Sequence, residues 1–175
     1  MRKVPYILIW LLFTNLFVYS QSGWFQQSPL PTGNILTSAS FLNINTGYLC
    51  GYNKTIIKTN NSGINWIVLN CNVSTNYNSV FFNNFNTGYC AGDYGKIVKT
   101  TDGGNTWTTL NTGVAINLKS IYFINLNTGY VAGDSVLMRT TDQGYTWVNS
   151  RSNILDQCTF SCNEIAGFHS VEVDS

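Results

Sequence analysis

Acidic side chains are the residues of this chain that could do hydrolytic chemistry, because glycoside hydrolysis usually needs two placed carboxyl groups. Asp102 and Asp142 stand in the turn sequences TTDGG and TTDQG, where a carboxylate bonds the backbone. Asp93 and Asp134 each follow a glycine at matching repeat positions, which favours a shared turn role over an acid–base pair. The other acids lie in the final segment: Asp156, Glu164, Glu172 and Asp174. The pattern therefore predicts no catalytic site.

Cysteine and histidine are the other residues that could bind a metal or take part in catalysis. Cys158 and Cys162 precede the single histidine, His169, but these three lack a fourth ligand and the usual CxxC spacing of a zinc site. Cys50 and Cys90 lie within stretches predicted as strands, which favours small buried side chains over a disulfide. With one histidine, no Ser/His/Asp or Cys/His set is persuasive. We therefore predict no metal, no cofactor and no enzymatic activity.

Residues 1–20 predict a secretory signal peptide. Arg2 and Lys3 precede an apolar run, and cleavage is expected between Ser20 and Gln21. The run is short for a membrane anchor, since a span takes about 20 apolar residues, so we expect a secreted, periplasmic or cell-surface protein without a stable span. Cleavage leaves seven basic against eight acidic residues, a net charge of −1. This balance argues against a nucleic-acid partner, which needs clustered Lys and Arg.

A repeated NTGY string sets the fold prediction. Gly47, Gly88 and Gly129 follow one another at intervals of 41 residues. A fixed period of this size indicates stacked supersecondary units, none of which buries its own core. Within each unit, strand-forming and turn residues alternate to give four short antiparallel strands, without helical periodicity. The sequence therefore predicts an all-β protein, a partial β-propeller of about three four-stranded blades.

The predicted units span residues 34–70, 71–111 and 112–150, within a repeat domain at 21–150. Residues 24–27 are typical of a closing strand, and residues 151–175 form an atypical tail or an incomplete fourth repeat. Closed propellers take about four to eight blades. Three interpretations follow: a truncated reading frame, which we prefer, an open arc, or subunits that complete a ring by self-association.

A second motif, Thr-x-Asp-x-Gly-x-x-Trp, ends each unit. The Asp side chain is expected to accept backbone N–H bonds across a tight turn, and the Gly to adopt positive φ. The Trp is expected to begin the returning strand and to pack against the sheet or between blades. Asn replaces Asp in the first copy, which removes the charge and predicts a weaker turn. The positions are Thr59, Asn61, Gly63 and Trp66; Thr100, Asp102, Gly104 and Trp107; and Thr140, Asp142, Gly144 and Trp147.

This motif resembles the Asp-box, or BNR, repeat. The string NTGYCAGDYGKIVKTTDGGNTW resembles more specifically the photosystem II stability/assembly-factor type of Asp-box propeller. The resemblance covers roughly Trp24 to Ser150 and implies protein partners, so we expect an exported, non-catalytic binding or assembly module. Sialidases and other glycosidases also carry Asp-boxes. The alternative is therefore a fragment of a sialidase- or xyloglucanase-like enzyme without its catalytic blades.

Three basic residues share one register of the repeat. Lys58, Lys99 and Arg139 occupy equivalent places in IIKT, IVKT and LMRT. A propeller would present them as one cation per blade along an arc. Such an arc either keeps the strand faces polar or docks an acidic protein or a glycan.

Overall fold

The structure, a computed structural model, describes residues 32–150. They form three four-stranded antiparallel sheets, which we call blades 1, 2 and 3, and this confirms the predicted partial propeller. The strands are β1 (Leu36–Phe41), β2 (Gly47–Gly51), β3 (Thr55–Thr59), β4 (Ile67–Val68), β5 (Tyr77–Phe82), β6 (Gly88–Gly92), β7 (Ile97–Thr100), β8 (Thr108–Leu110), β9 (Leu118–Phe123), β10 (Gly129–Gly133), β11 (Val136–Thr140) and β12 (Val148–Asn149). The predicted signal peptide, closing strand and tail lie outside these residues.

Each blade pairs its strands in chain order, so within a blade each strand after the first bonds the one before it. The first strands of the blades, β1, β5 and β9, contact one another in turn across the blades. In an antiparallel meander, the first and third turns of each sheet lie at one end, which we call the Asp-box end, and the second lies at the opposite end. Within the described part of the chain, no helix is long and apolar enough to cross a membrane.

The core lies between blades, in two clusters that we call junctions. The first junction joins blade 1, through Tyr48 and Cys50, to blade 2, through Phe82 and Cys90. The second repeats this arrangement between Tyr89 of blade 2 and Phe123 of blade 3. The rings stack with centroids 3.5 Å apart for Tyr48 and Phe82 and 4.0 Å apart for Tyr89 and Phe123. A single sheet has no such partner, which explains why the units stack.

The glycine of NTGY makes room for this stacked phenylalanine. Gly88 lies opposite Phe82 in the β5–β6 register, and a Cβ on Gly88 would overlap the Phe82 ring. Gly129 has the same relation to Phe123 in blade 3. The glycine therefore allows the ring to lie flat on the sheet and reach the neighbouring blade.

Each fourth strand begins one residue after the tryptophan, one residue later than predicted. Trp107 was expected to start the strand, but β8 begins at Thr108. In blade 2 the reason is that Trp107 belongs to the turn, since its indole Nε1 donates to the Gly104 carbonyl at 3.1 Å, a bond that the Trp147 indole does not make. Its ring lies edge-on to Phe82 at 6.2 Å, as Trp147 lies to Phe123. Trp107 and Trp147 thus pack against the first strand of their own sheet, at the edge of the two junctions.

Candidate functional site

The Asp-box turn of blade 2 is closed by a threonine hydroxyl and a carboxylate. Thr100 Oγ1 accepts the Gly104 N–H at 2.9 Å and the Asp102 N–H at 3.3 Å, and it donates to Asp102 Oδ1 at 2.8 Å. Asp102 also accepts the N–H of Thr106 at 2.9 Å and its hydroxyl at 2.6 Å. These bonds, led by those from Thr106, lower the pKa of Asp102 to about 2. The carboxylate is therefore a structural anion.

The third copy repeats this network bond for bond. Thr140 Oγ1 accepts the Gly144 N–H at 2.9 Å, and Asp142 accepts the hydroxyl of Thr146 at 2.6 Å. Bonds from Thr146 again lower the pKa of Asp142. The glycines adopt the predicted positive φ, 94° for Gly104 and 87° for Gly144.

The first copy keeps part of the network. Asn61 Oδ1 accepts the Thr59 hydroxyl at 3.0 Å and the Asn65 N–H at 2.9 Å, and Thr59 Oγ1 accepts the Gly63 N–H at 2.9 Å. Asn65 stands where blade 2 has Thr106, so the bond from that hydroxyl is lost with the charge. The prediction of a weaker turn stays a prediction.

Two of the three predicted cations lie inside the junctions. Lys58 Nζ donates to the Gly103 carbonyl of the next blade at 3.3 Å, and the Tyr48 hydroxyl donates to the same oxygen at 3.2 Å. Lys99 and Tyr89 donate to the Gln143 carbonyl in the same way, at 3.3 and 3.1 Å.

These contacts correct the predicted arc of cations. Lys99 is only 2% exposed, and its ammonium lies between the rings of Tyr89 and Tyr145, at 5.6 and 4.4 Å from their centroids. Lys58 is half-buried, whereas Arg139 is exposed. The structure therefore presents one of the three side chains to a partner, because the other two bond the next Asp-box turn.

The acids at the opposite end have unequal surroundings. Asp93 accepts the side-chain amide of Asn76 at 3.0 Å and that of Asn78 at 2.9 Å, which occupies both carboxylate oxygens. Asp134 instead lies 3.9 Å from Lys119, in an exposed ion pair. The difference follows from the sequence, since Lys119 stands one repeat after Asn78. Each of the two carboxylates thus contacts a side chain in or next to the first strand of its own blade.

Apolar side chains on the Asp-box end were missed by the sequence analysis. The first turn of each blade holds one large apolar residue at the same repeat position, 84% exposed for Ile44 and 55% for both Phe85 and Leu126. We call these three residues the apolar tips. The signal in the sequence is an apolar residue repeated inside a turn, where polar residues are usual.

Two sets of hydrogen bonds fix each apolar tip. Asn84 Oδ1 accepts the N–H groups of Asn86 and Thr87 at 2.9 and 2.8 Å, so Phe85 stands at the top of an Asx turn. Gly103 of the Asp-box turn then donates its N–H to the Asn86 carbonyl at 2.9 Å. Asn43 and Asn125 close the equivalent turns of the other blades. The Asp-box therefore supports the turn that carries the tip.

The three cysteine thiols of the described residues are buried. Cys50, Cys71 and Cys90 are free within the described residues, and Cys71 Sγ lies 3.0 Å from the Tyr77 hydroxyl. Burial raises the pKa of the Cys90 thiol, with a hydrogen bond to Cys50 as the next cause. No group of His, Cys, Asp or Glu in the range 32–150 could hold a metal ion. Cys158, Cys162 and His169 lie outside that range.

Three Asp-box turns on stacked four-stranded blades define the class of this protein as an Asp-box β-propeller. The family model described as photosynthesis system II assembly factor YCF48 matches residues 18–114, and the chain belongs to that family. A search of curated proteins gives no match.

Solved structures support this assignment. "YCF48 bound to D1 peptide" is 26% identical with a TM-score of 0.62, over 69% of this chain and 41% of that one. YCF48 from Cyanidioschyzon merolae is 20% identical with a TM-score of 0.59, over 71% of this chain and 39% of that one. The Niastella koreensis GH74 enzyme is 19% identical with a TM-score of 0.55, over 65% and 22%, and shares the fold. The chain thus spans less than half the length of these structures.

Proposed function

We propose that this protein is a non-catalytic binding or assembly module that takes a peptide segment of a protein partner on its Asp-box end. Family membership supports a propeller of the assembly-factor type. One similar protein was solved with a D1 peptide. The observation that carries the proposal is the repetition of one exposed apolar tip per blade, at Ile44, Phe85 and Leu126.

The chemistry of the apolar tips suits a peptide with apolar side chains. Large exposed apolar residues that recur on one face of a protein mark interaction sites more often than single ones do. Each tip is held on a closed Asx turn, so binding would cost little ordering of the protein. The surrounding turns add backbone groups and amides that can pair with a peptide backbone.

The carboxylates at this end support a non-catalytic role. Asp102 and Asp142 are bonded to hydroxyl and backbone donors of their own turns, and their lowered pKa values make them poor general acids at neutral pH. At the opposite end, Asp93 has both oxygens occupied by amides. Each of these carboxylates therefore accepts hydrogen bonds that hold the surrounding backbone or side chains in place.

A binding titration tests the proposal. Fluorescently labelled D1 peptide is titrated with the purified chain, and saturable binding is expected. The variant Ile44→Ser/Phe85→Ser/Leu126→Ser should weaken binding by at least about tenfold, since each lost apolar contact is worth about 1 kcal/mol or more. The matched control is Ile67→Thr/Val68→Thr/Val148→Thr, because these outer-strand side chains are similarly exposed. Equal loss of binding in both triple variants would contradict the assignment to the apolar tips.

The same protein is assayed for hydrolysis of sialosides and xyloglucan. We expect no turnover, since the proposal assigns no acid–base pair. Turnover without peptide binding would favour the glycosidase alternative, whose fold is shared by the GH74 enzyme. Saturable binding of xyloglucan without hydrolysis would instead make the partner a glycan.

Export is a separate part of the proposal, based on the sequence of residues 1–20. Arg2 and Lys3 before an apolar run are typical of a signal peptide. Expression in a bacterial host, followed by fractionation and amino-terminal sequencing, should give a mature chain that begins at Gln21. Recovery of the uncleaved chain in the cytoplasm would contradict this part alone.

A further inference from the structure

The first junction holds three cysteines and a buried tyrosine, and the function proposed above uses none of them. Cys50 and Cys90 are 0% exposed and Cys71 is 2% exposed, and all three belong to the same core cluster. Cys71 Sγ lies 3.0 Å from the Tyr77 hydroxyl, which also donates to the Val73 carbonyl at 3.3 Å. Tyr77 therefore holds one of the three thiols, and Cys50 and Cys90 remain as a pair.

The strand registers bring this pair together from opposite sides of the junction. Cys50 lies opposite Ser38 in blade 1, and Cys90 lies opposite Val80 in blade 2. The Ser38 hydroxyl accepts the Val80 N–H at 3.2 Å, so the two strand pairs form one continuous row across the blades. Successive residues of a strand point to opposite faces of the sheet. Because Cys50 stands one repeat position later than Cys90, the two side chains point towards each other, and their thiols are hydrogen-bond partners.

The second junction has the same row without sulfur. Ala91 of blade 2 lies opposite Ser79. Val131 of blade 3 lies opposite Ile121, whose N–H donates to the Ser79 hydroxyl at 3.2 Å. Ala91 and Val131 are both buried in the core cluster of that junction. Apolar side chains thus satisfy the packing at these two positions, so packing alone does not require the two thiols of the first junction.

We propose that Cys50 and Cys90 are a modification site, at which a disulfide bond joins blade 1 to blade 2. The oxidant is a small disulfide such as glutathione disulfide. One cysteine thiolate attacks it and releases one glutathione thiolate, and the second cysteine then attacks the mixed disulfide and releases the other. The two cysteines lose two protons and two electrons, which the oxidant takes up as two thiols. Such bonds persist in the oxidising compartments to which export would bring the chain.

Burial determines when this bond can form. Neither thiol is exposed in the folded protein, and burial raises the pKa of the Cys90 thiol, so little of the attacking thiolate is present there. The exchange therefore takes place while the chain folds, before the first junction closes. The closed junction then shields the bond from reduction. This proposal is independent of the peptide-binding one.

Refolding of the full chain with reduced and oxidised glutathione tests the proposal. After the free thiols are blocked, digestion with trypsin and chymotrypsin places Cys50, Cys71 and Cys90 on separate peptides, so mass spectrometry identifies the pair directly. We expect a cross-linked peptide of Cys50 and Cys90 that disappears after reduction in urea. The two cysteines are 40 residues apart. A bond that closes a loop of this length should raise the urea midpoint by about 1–2 M over that of the reduced chain.

The second junction supplies the matched control. Cys50→Ala/Cys90→Val introduces the alanine and valine that pack at the equivalent positions, Ala91 and Val131. Its midpoint should lie near that of the reduced wild type, and glutathione should not raise it. Cys71→Ala removes the third thiol of the cluster and should leave the cross-link unchanged. Far-ultraviolet circular dichroism checks that each variant folds, and the peptide map of the wild type decides the pairing if one does not.

Three outcomes would overturn the proposal. The first is a folded wild-type chain without the cross-linked peptide of Cys50 and Cys90 after refolding with glutathione. The second is a cross-link from Cys71 to either residue in place of that pair. The third is an equal rise of the midpoint in the wild type and in the double variant, which would assign the rise to other cysteines of the chain.

Discussion

Replacing Thr100 by valine removes the hydroxyl that closes the Asp-box turn of blade 2 and keeps the shape of the side chain. The change leaves the buried Gly104 N–H without its acceptor at 2.9 Å, which costs about 1–3 kcal/mol. It also removes the bond to Asp102 Oδ1, which is worth about 1 kcal/mol because water can replace it at a partly exposed carboxylate. We therefore expect the free energy of unfolding to fall by about 2–4 kcal/mol.

Urea denaturation followed by tryptophan fluorescence measures this change. With a urea dependence of about 2 kcal/mol per molar, the midpoint should fall by about 1–2 M. Thr109→Val is the matched control, because this exposed strand residue makes the same exchange outside the turn, and its effect should stay within about 0.5 kcal/mol. Equal midpoints for Thr100→Val and Thr109→Val would refute the assignment of the hydroxyl as the centre of the turn.

The first copy separates the contribution of charge. Thr59→Val breaks a bond to the neutral amide oxygen of Asn61, and neutral hydrogen bonds are about half as strong as charge-assisted ones. The midpoint should therefore fall less than in Thr100→Val. A fall of the same size in both variants would show that the carboxylate adds nothing to the turn.

Three further predictions use other contacts. Asp102→Asn should lower the free energy of unfolding at neutral pH. The difference in stability from the wild type should shrink between about pH 4 and 2, because the folded pKa of Asp102, about 2, lies below the unfolded value and the stabilisation is lost as the carboxylate protonates. Urea midpoints across that pH range measure this difference. Gly88→Ala should lower the midpoint through overlap with Phe82, unlike Gly33→Ala, which has open space, and equal midpoints would contradict the packing argument. Cys90 should resist iodoacetamide in the native protein, because burial raises the pKa of its thiol. Peptide mass mapping follows this thiol separately from the other four cysteines, and labelling of Cys90 at the rate of the urea-unfolded chain would disprove the prediction.

The repeat, the strand pattern and the turn positions could be predicted because they depend on local chemistry. Gly104 was expected at positive φ from its place in a tight turn, and the structure gives 94°. The location of Lys99 could not be predicted in this way. Its register was correct, but its ammonium bonds the carbonyl of Gln143, a residue of the next blade that composition does not bring near it.

The exposure of the apolar tips could not be predicted from the sequence either. Phe82 and Phe85 stand three residues apart in the stretch VFFNNFNTG, with similar hydrophobicity. Phe82 is buried against Tyr48 because it belongs to β5, whereas Phe85 is exposed because the Asn84 side chain holds it in a turn. Whether each ring is buried or exposed depends on where β5 ends, and a strand boundary is the least certain part of a sequence-based prediction.

The contacts of the Asp-box end decide which of its groups remain for a partner. Lys58 and Lys99 are used by the junctions, and Asp102 and Asp142 by their own turns, so the apolar tips become the main free feature of the turns. Each tip is then only as rigid as the Asp-box turn bonded to it.

Blade 1 has the Asn61 turn without a carboxylate, yet it gains a bond that blade 2 lacks. The Ser62 hydroxyl donates to Asn45 Oδ1 at 2.9 Å, beside the backbone bond between the same two turns. Gly103 has no side chain to do this in blade 2, where the carboxylate network is complete. We infer that the extra hydroxyl offsets the missing charge and keeps Ile44 as well placed as Phe85. Ser62→Ala should therefore weaken peptide binding in the same titration, because it removes the hydroxyl and keeps a Cβ at the positive φ of 60°, and binding equal to that of the wild type would contradict this role of the hydroxyl.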